Sequence, residues 1–400
     1  NGKNAEQAGL NCMSEQNPDL LKIVVSVHGR WHGFDLANGL HQRGYLARLL
    51  TTYPASVAAK FLPLGVPVMA APWLELRRRF YEKFPFGGKP DLAIAKAFGK
   101  FACRHAVGQV DVLVGWSSAT LEAIPLAHEF GTKVVIERGS SHIAHQTEVL
   151  SAAYQEFGLD FAGTQPEMIV REEQEYAAAD AITVPTQFAA STFTERGLGE
   201  KLIVNPYGVD LTRFSPNAEP NQNTKPRILF VGSVGIRKGV PWLLRAFEGL
   251  SNFAELHLIG PVEKGFEKIL TQYNMASVTL RGALASDQLP AELKAADIFC
   301  LPSLEEGFPL SMLQAMASGL PVITTRETGA EDIIEPGVEG LVLPSKDSTG
   351  LTEALRPLVN NAEQRHQMSI AARRRVEQGF SWDDYIDRAI AAYHALVAAT

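Results

Sequence analysis

Residues 305–325 read EEGFPLSMLQAMASGLPVITT. The preceding DIFCLPS (297–303) is a continuous apolar run of strand character, so the local order is strand, loop, helix, strand. Pro309 suits the first turn of the helix, and Gly319 falls just past its end. Met312, Leu313 and Met316 supply a face turned to a core, with one amide, Gln314, among them. A strand that passes through a glycine-containing loop into a helix brings free backbone N–H groups and a positive dipole end to one point. Such a point suits a phosphate, while Glu306 beside it suits hydroxyl groups. Acids that merely complement a helix dipole would give the same pattern.

The same alternation extends in both directions. KIVVSV (22–27), ARLLTT (47–52), DVLVGW (111–116), TKVVIE (132–137), AITVP (181–185) and LIVN (202–205) are continuous apolar runs. Strands buried on both faces read this way, which predicts a parallel sheet covered by helices such as FDLANGLHQRG and LEAIPLAHEFG. A second series follows: RILFVG (227–232), ELHLIG (255–260), SVTLRG (277–282), DIFCLP (297–302), PVITT (321–325) and GLVLP (340–344). Between the series lies NPYGVDLTRFSPNAEPNQNTKP, rich in Pro, Asn and Gly and without apolar periodicity. The expected plan is a loose tail (1–20), a first α/β domain (21–206), a linker (207–226), a second α/β domain (227–380) and a terminal amphipathic helix (381–400). Two doubly wound sheets would leave a cleft between the carboxyl ends of their strands, where such sheets bind ligands.

Composition narrows the function classes. The chain has 400 residues, 46% hydrophobic and 20% charged, with a formal net charge of −7. That balance fits a globular protein of two or three domains and argues against a broad basic surface for nucleic acid. Cys12, Cys103 and Cys300 are far apart and form no short metal or redox pair, so reduced, mostly buried thiols in a cytoplasmic protein are expected. No apolar run reaches the length of a membrane span. The first 20 residues lack the charged-then-apolar plan of a secretion signal, and Met13 is the expected natural start.

Several ordered motifs carry a resemblance. Glu306-Gly307-Phe308, AMASGLPVI, Gly329-Ala330-Glu331-Asp332, VGSVGIRKGVPWLLRAF (231–247) and VNPYGVDLTRFSP (204–216) resemble the signature of the retaining glycosyltransferases of sequence family 4. The resemblance is close over residues 200–345 and scattered before them. It implies the GT-B fold, two Rossmann-like domains facing across a cleft with the last helix crossing back to the first. It also implies transfer of a hexose from a nucleotide-diphosphate sugar, most readily UDP- or GDP-linked, to an acceptor hydroxyl. Retention of configuration, no metal and no other cofactor go with it.

Carried over residue by residue, Lys238 would pair with the donor diphosphate and Glu306 with hydroxyls of the donor sugar. The amides of Gly307, Phe308 and Leu310 would line the pocket, and Leu284 would lie near the base. His142, in ERGSSHIAHQ, would face the donor sugar, with His145 second and with Glu137 and Arg138 as an ion pair beneath it. Gly29, Arg30, His32 and Gly33, with Asp35 close by, would serve the acceptor side. Three departures stand out. Gln314 replaces the second Glu of the motif, Pro309 has no N–H to offer, and Ser233 replaces an arginine. Arg237 stands beside Lys238 either as the substitute cation or as a solvated surface charge. WLELRRRFYEKFPFGGK (73–89) mixes cations with aromatics. That composition suits a solvated helix, and equally a peripheral contact with a membrane or a lipid-linked acceptor. A sugar-nucleotide epimerase and a non-catalytic sugar-nucleotide sensor are the competing functions.

Overall fold

A computed structural model describes residues 20–84, 89–106, 108–161, 163–219, 221 and 223–399. The expected N-terminal tail lies, apart from Leu20, outside the described residues, as does Cys12. The first series of runs forms β1 (Ile23–Val27), β2 (Leu46–Thr51), β4 (Val112–Trp116), β5 (Lys133–Glu137), β6 (Ala181–Val184) and β7 (Leu202–Val204). One strand was not expected: β3 (Val68–Ala70) lies inside a proline-bearing stretch. The sheet runs β3-β2-β1-β4-β5-β6-β7, parallel throughout. The second series forms β8 (Arg227–Val231), β9 (Glu255–Ile259), β10 (Val278–Gly282), β11 (Ile298–Leu301), β12 (Val322–Thr325) and β13 (Gly340–Leu343). Its order, β10-β9-β8-β11-β12-β13, is also all parallel.

Helices cover both sheets. In the first half these are α1 (Gly33–Gln42), α2 (Ala55–Ala58), α3 (Pro72–Lys83), α4 (Asp91–His105), α5 (Ile124–Glu129), α6 (Ile143–Gln155), α7 (Pro166–Ala178) and α8 (Gln187–Thr194). The second half adds α9 (Val240–Glu248), α10 (Glu267–Leu270), α11 (Leu289–Lys294), α12 (Leu310–Ala317), α13 (Ser348–Asn360), α14 (Ala362–Val376) and α15 (Trp382–Ala398). Strand β1 shows why the apolar runs were continuous. Ile23, Val25 and Val27 enter one core cluster and Val24 the other, so both faces of the strand are buried.

Both sheets reverse direction at equivalent places, between β1 and β4 and between β8 and β11. Loops diverge at these switch points and open a crevice at the carboxyl ends of the strands. The functional stretch of residues 302–309 follows β11, at the second switch point.

Helix α15 returns to the first half. Ser381 and Asp384 close a capping box at its start, and Arg43 bonds Asp383 and Asp387 at 2.9 and 2.8 Å. A Cβ on Gly39 of α1 would stand 2.3 Å from the Ile386 side chain, so the two helices pack backbone to side chain. Among the described residues no helix is long and apolar enough to cross a membrane. Cys300 is buried, and burial raises its thiol pKa.

Replacing the buried Ile386 by Ala should cost about 2–5 kcal/mol, the range for emptying an aliphatic site in a close-packed core. Urea unfolding measures this, and an unchanged midpoint would show that α15 does not hold the first domain.

Candidate active site

Two loops meet at the second switch point. Residues 232–239 link β8 to α9, and residues 302–309 link β11 to α12. They are pressed together: a Cβ on Gly239 (φ +71°) would stand 1.8 Å from the Pro302 carbonyl oxygen. Helix α12 begins at Leu310, one residue later than the sequence suggested, because Pro309 keeps extended backbone and takes the cap position. None of the described residues accepts a hydrogen bond from the backbone N–H of Gly307, Phe308, Leu310 or Ser311. Four donors without a described acceptor therefore lie next to the positive end of a helix, as an anion site requires. The Phe308 side chain is buried and packs toward Phe380.

The cations at this mouth are engaged with the two acids. Glu306, 8% exposed, forms an ion pair with Lys238 and lies 3.3 Å from Arg237. Arg237 also lies 3.3 Å from Glu305. It is thus part of the mouth and not a solvated surface charge. Ser233 is exposed on the same loop, while Leu284 is half-buried beyond the edge strand β10. Gln314 lines a cavity of about 530 Å³ with Leu310, Arg30, Asp35, Gly208 and Arg213, bounded by both halves and the linker. Burial raises the Asp35 pKa against the opposing charges of His32 and Arg30.

Glu305, given no role by the sequence, is the residue that joins the halves. It is 0% exposed. Its carboxylate accepts from the Ser141 hydroxyl at 2.7 Å, the Ser141 amide at 3.3 Å and Gln146 at 2.8 Å, and from the Ser140 hydroxyl. Burial pushes its pKa up, but Arg237 and the bonds from Gln146, Ser140 and Ser141 outweigh burial and hold it below the ordinary carboxylate value. Next to it, a Cβ on Gly307 would stand 2.1 Å from the Gly139 carbonyl oxygen. Gly307 is therefore required for close approach of the two backbones. Thr186 donates to the Gly307 carbonyl at 3.0 Å, and the Gln187 amide donates to Asp332 at 2.7 Å, completing the closed junction.

His142 does not face this mouth. It caps α6, with Nδ1 accepting from the Ala144 amide at 3.2 Å, and is 2% exposed between the rings of Tyr176 and Phe193. A residue at the cap position must turn its acceptor back onto the helix, which draws the ring away from the cleft. Burial, with Arg196, Arg138 and His145 nearby, lowers its pKa to about 4. His145 is half-buried near Phe188. The expected Glu137–Arg138 pair is also absent. Glu137 bonds His32 at 2.8 Å, whereas Arg138 bonds Glu172 at 3.0 Å, because neighbouring residues at a strand end point to opposite faces.

His32 lies beside Gly139, the residue that meets Gly307. A Cβ on Gly139 would stand 3.6 Å from the His32 ring, which packs on Trp116 and Tyr207. Buried oxygens of Glu137, Tyr207, Ser303 and Glu327 lack hydrogen-bond partners among the described residues, as at sites that take a polar ligand. In the loop before His32, Gly29 has φ +147° and Trp31, exposed, has φ +38°, a strained conformation for a tryptophan. Arg30 stacks over Phe61 and Gly33 opens α1 against Val27 and Trp116. A smaller cavity of about 160 Å³, lined by His28, Thr52, Glu75, Arg78, Asp91 and Ser118, opens beside the first switch point. No sequence pattern marks it, because its walls come from six separate segments.

This geometry sets the comparisons with known proteins in context. The family model for glycosyl transferases group 1 matches residues 212–375. The chain is 31% identical over 230 residues to the MMP alpha-(1->4)-mannosyltransferase of Mycolicibacterium hassiacum, covering 56% of this chain and 53% of that protein. It is 29% identical over 206 residues to the putative colanic acid biosynthesis glycosyltransferase WcaL of Escherichia coli, covering 48% of this chain and 50% of that one. The chain thus spans about half the length of these curated relatives. Among solved structures, sucrose-phosphate synthase from Thermosynechococcus elongatus superposes with a TM-score of 0.71 at 20% identity, over 95% of this chain and 100% of that one. The Anabaena protein HepE, in complex with UDP, gives 0.67 at 15% identity over 94% and 100%. The fold of this chain is GT-B.

Two outcomes test the junction. The folded Glu305 carboxyl has a lower pKa than an unfolded one, so its stabilisation is complete above the ordinary carboxylate value and is lost as pH falls through the folded value. The Tm gap between wild type and Glu305→Gln should be largest at neutral pH and shrink as pH falls below the ordinary carboxylate range. A gap that grows on acidification refutes the assignment. Gly307→Ala should leave both domains folded yet force them apart, seen as a larger radius of gyration in solution scattering.

Proposed function

We propose that this protein transfers a hexosyl group from a nucleoside-diphosphate sugar, UDP- or GDP-linked, to an acceptor hydroxyl with retention of configuration. One observation carries this reading: four unbonded amides, the start of α12, Lys238, Arg237 and Glu306 converge at the second switch point. The amides and the two cations would grip the diphosphate and stabilise charge on the leaving group. Glu306 would accept from sugar hydroxyls, and Gln314 would bond the ribose from the second turn of α12. Cationic side chains and the helix mouth supply the charge that a divalent metal would otherwise bring, so no metal is required.

The acceptor would enter from the first domain, past Arg30, His32 and Gly33. His32, oriented by Glu137, replaces His142 as the side chain that faces the reacting carbon. Attack from the side of the leaving group lets the donor phosphate take the acceptor proton, so the protein's part is to position both partners and stabilise charge. The acceptor is a glycan or lipid-linked glycan made on the cytoplasmic side, where nucleotide sugars are supplied.

Calorimetry with UDP, GDP and their nucleosides tests the donor site. Lys238→Ala should weaken the bound diphosphate roughly ten- to hundredfold, as expected for a lost charged hydrogen bond, and leave the nucleoside nearly unchanged. Equal losses would refute the phosphate role. Glu306→Ala should abolish transfer in a folded protein, and Gln314→Glu should preserve it. Epimerised sugar nucleotide without acceptor, or binding without turnover on any acceptor, would favour the epimerase or the sensor instead.

A further inference from the structure

Helix α3 follows the edge strand β3 and packs on α4 at the margin of the first sheet. Its only buried residues are Leu74 and Glu75. The large apolar side chains lie mostly outside: Trp73, whose ring also meets Phe101 of α4 at 5.9 Å, is 57% exposed, Leu76 69% and Phe80 64%. With 3.6 residues per turn, these three fall within an arc of about 60°, opposite the buried pair. Phe84, 43% exposed, continues the stripe with its ring centroid 5.3 Å from that of Phe80. A helix in a soluble domain normally turns such a face inward. This one is inverted.

The charges are arranged around the same stripe. Arg78 and Arg79 turn back to Glu75, at 2.7 and 2.9 Å, on the inner side. Arg77 and Lys83 flank the apolar arc on either side, and neither forms an ion pair among the described residues. Lys83 instead lies over the Phe84 ring at 5.6 Å. The stripe is a convex ridge with free cations at both rims, on a chain whose formal net charge is −7. A protein partner would need a groove to match it. A fluid surface needs none. Apolar side chains enter the headgroup region, an exposed Trp settles at the interface, and rim cations meet anionic headgroups.

We propose that α3 docks the protein on an anionic lipid bilayer, with Trp73, Leu76, Phe80 and Phe84 inserted and Arg77 and Lys83 at the headgroups. Leu74, Glu75 and Arg78 on the inner side of α3 form one wall of the cavity shared with His28 and Ser118, so docking leaves α3 between that cavity and the bilayer. Lipid docking is independent of sugar transfer and is tested with vesicles alone.

The full chain should co-sediment with mixed phosphatidylglycerol–phosphatidylcholine vesicles, far less with pure phosphatidylcholine, and be released by salt. The exposed double substitution Leu76→Glu with Phe80→Glu should weaken binding by roughly tenfold or more without lowering Tm, and Arg77→Glu with Lys83→Glu should do the same. No sedimentation of wild type with the mixed vesicles, or equal binding by Leu76→Glu/Phe80→Glu, overturns the proposal. So does light scattering that shows a dimer dispersed by Leu76→Glu/Phe80→Glu in a protein that ignores vesicles, since the stripe would then belong to a second copy.

Discussion

A carboxylate with no exposure must find donors for its oxygens or lose its charge, and Glu305 finds them in both halves of the molecule. Ser140, Ser141 and Gln146 belong to the segment after β5, while Arg237 belongs to the loop after β8. The charge is therefore satisfied only when the two halves are together. Gly307 allows that approach, because any side chain there would strike the Gly139 carbonyl.

The two sheets share one plan, and the plan explains where the chemistry collects. Each reverses its strand order at its central strand pair, and the segments after β5 and β6 meet the loop after β11. Lys238, Arg237 and Glu306 stand on one side of that meeting. His32 and Glu137 stand on the other. The Glu306–Lys238 ion pair keeps opposite charges adjacent at the mouth, so a ligand bearing both hydroxyls and phosphate meets a partner for each.

Helix α3 and helix α15 illustrate two fates of an amphipathic segment. In α15 the apolar face is absorbed by α1, where Gly39 leaves room for Ile386. In α3 the inner face carries Leu74 and an ion-paired Glu75, and the larger apolar side chains remain outside. Both segments mix apolar and charged residues at helical spacing, so pattern alone does not tell them apart.

Much of the architecture was legible in local order. Strands buried on both faces write continuous apolar runs, and the Pro- and Asn-rich stretch between the two series marks a break. Strand β3 escaped because three half-buried residues at a sheet edge leave too short a run. The candidate donor-side residues could be named from sequence because they lie within short loops next to recognisable strands and helices. The direction of His142, the partners of Glu137 and Arg138, and the role of Glu305 were not legible. Their partners come from distant segments: Glu305 is 164 positions from Ser141, and His32 is 105 from Glu137. What the chain determined by itself was which residues form each strand and helix, since burial and backbone geometry act over a few neighbours. Only the tertiary structure decided which buried charge met which donor, because that depends on how two separately wound sheets close on each other.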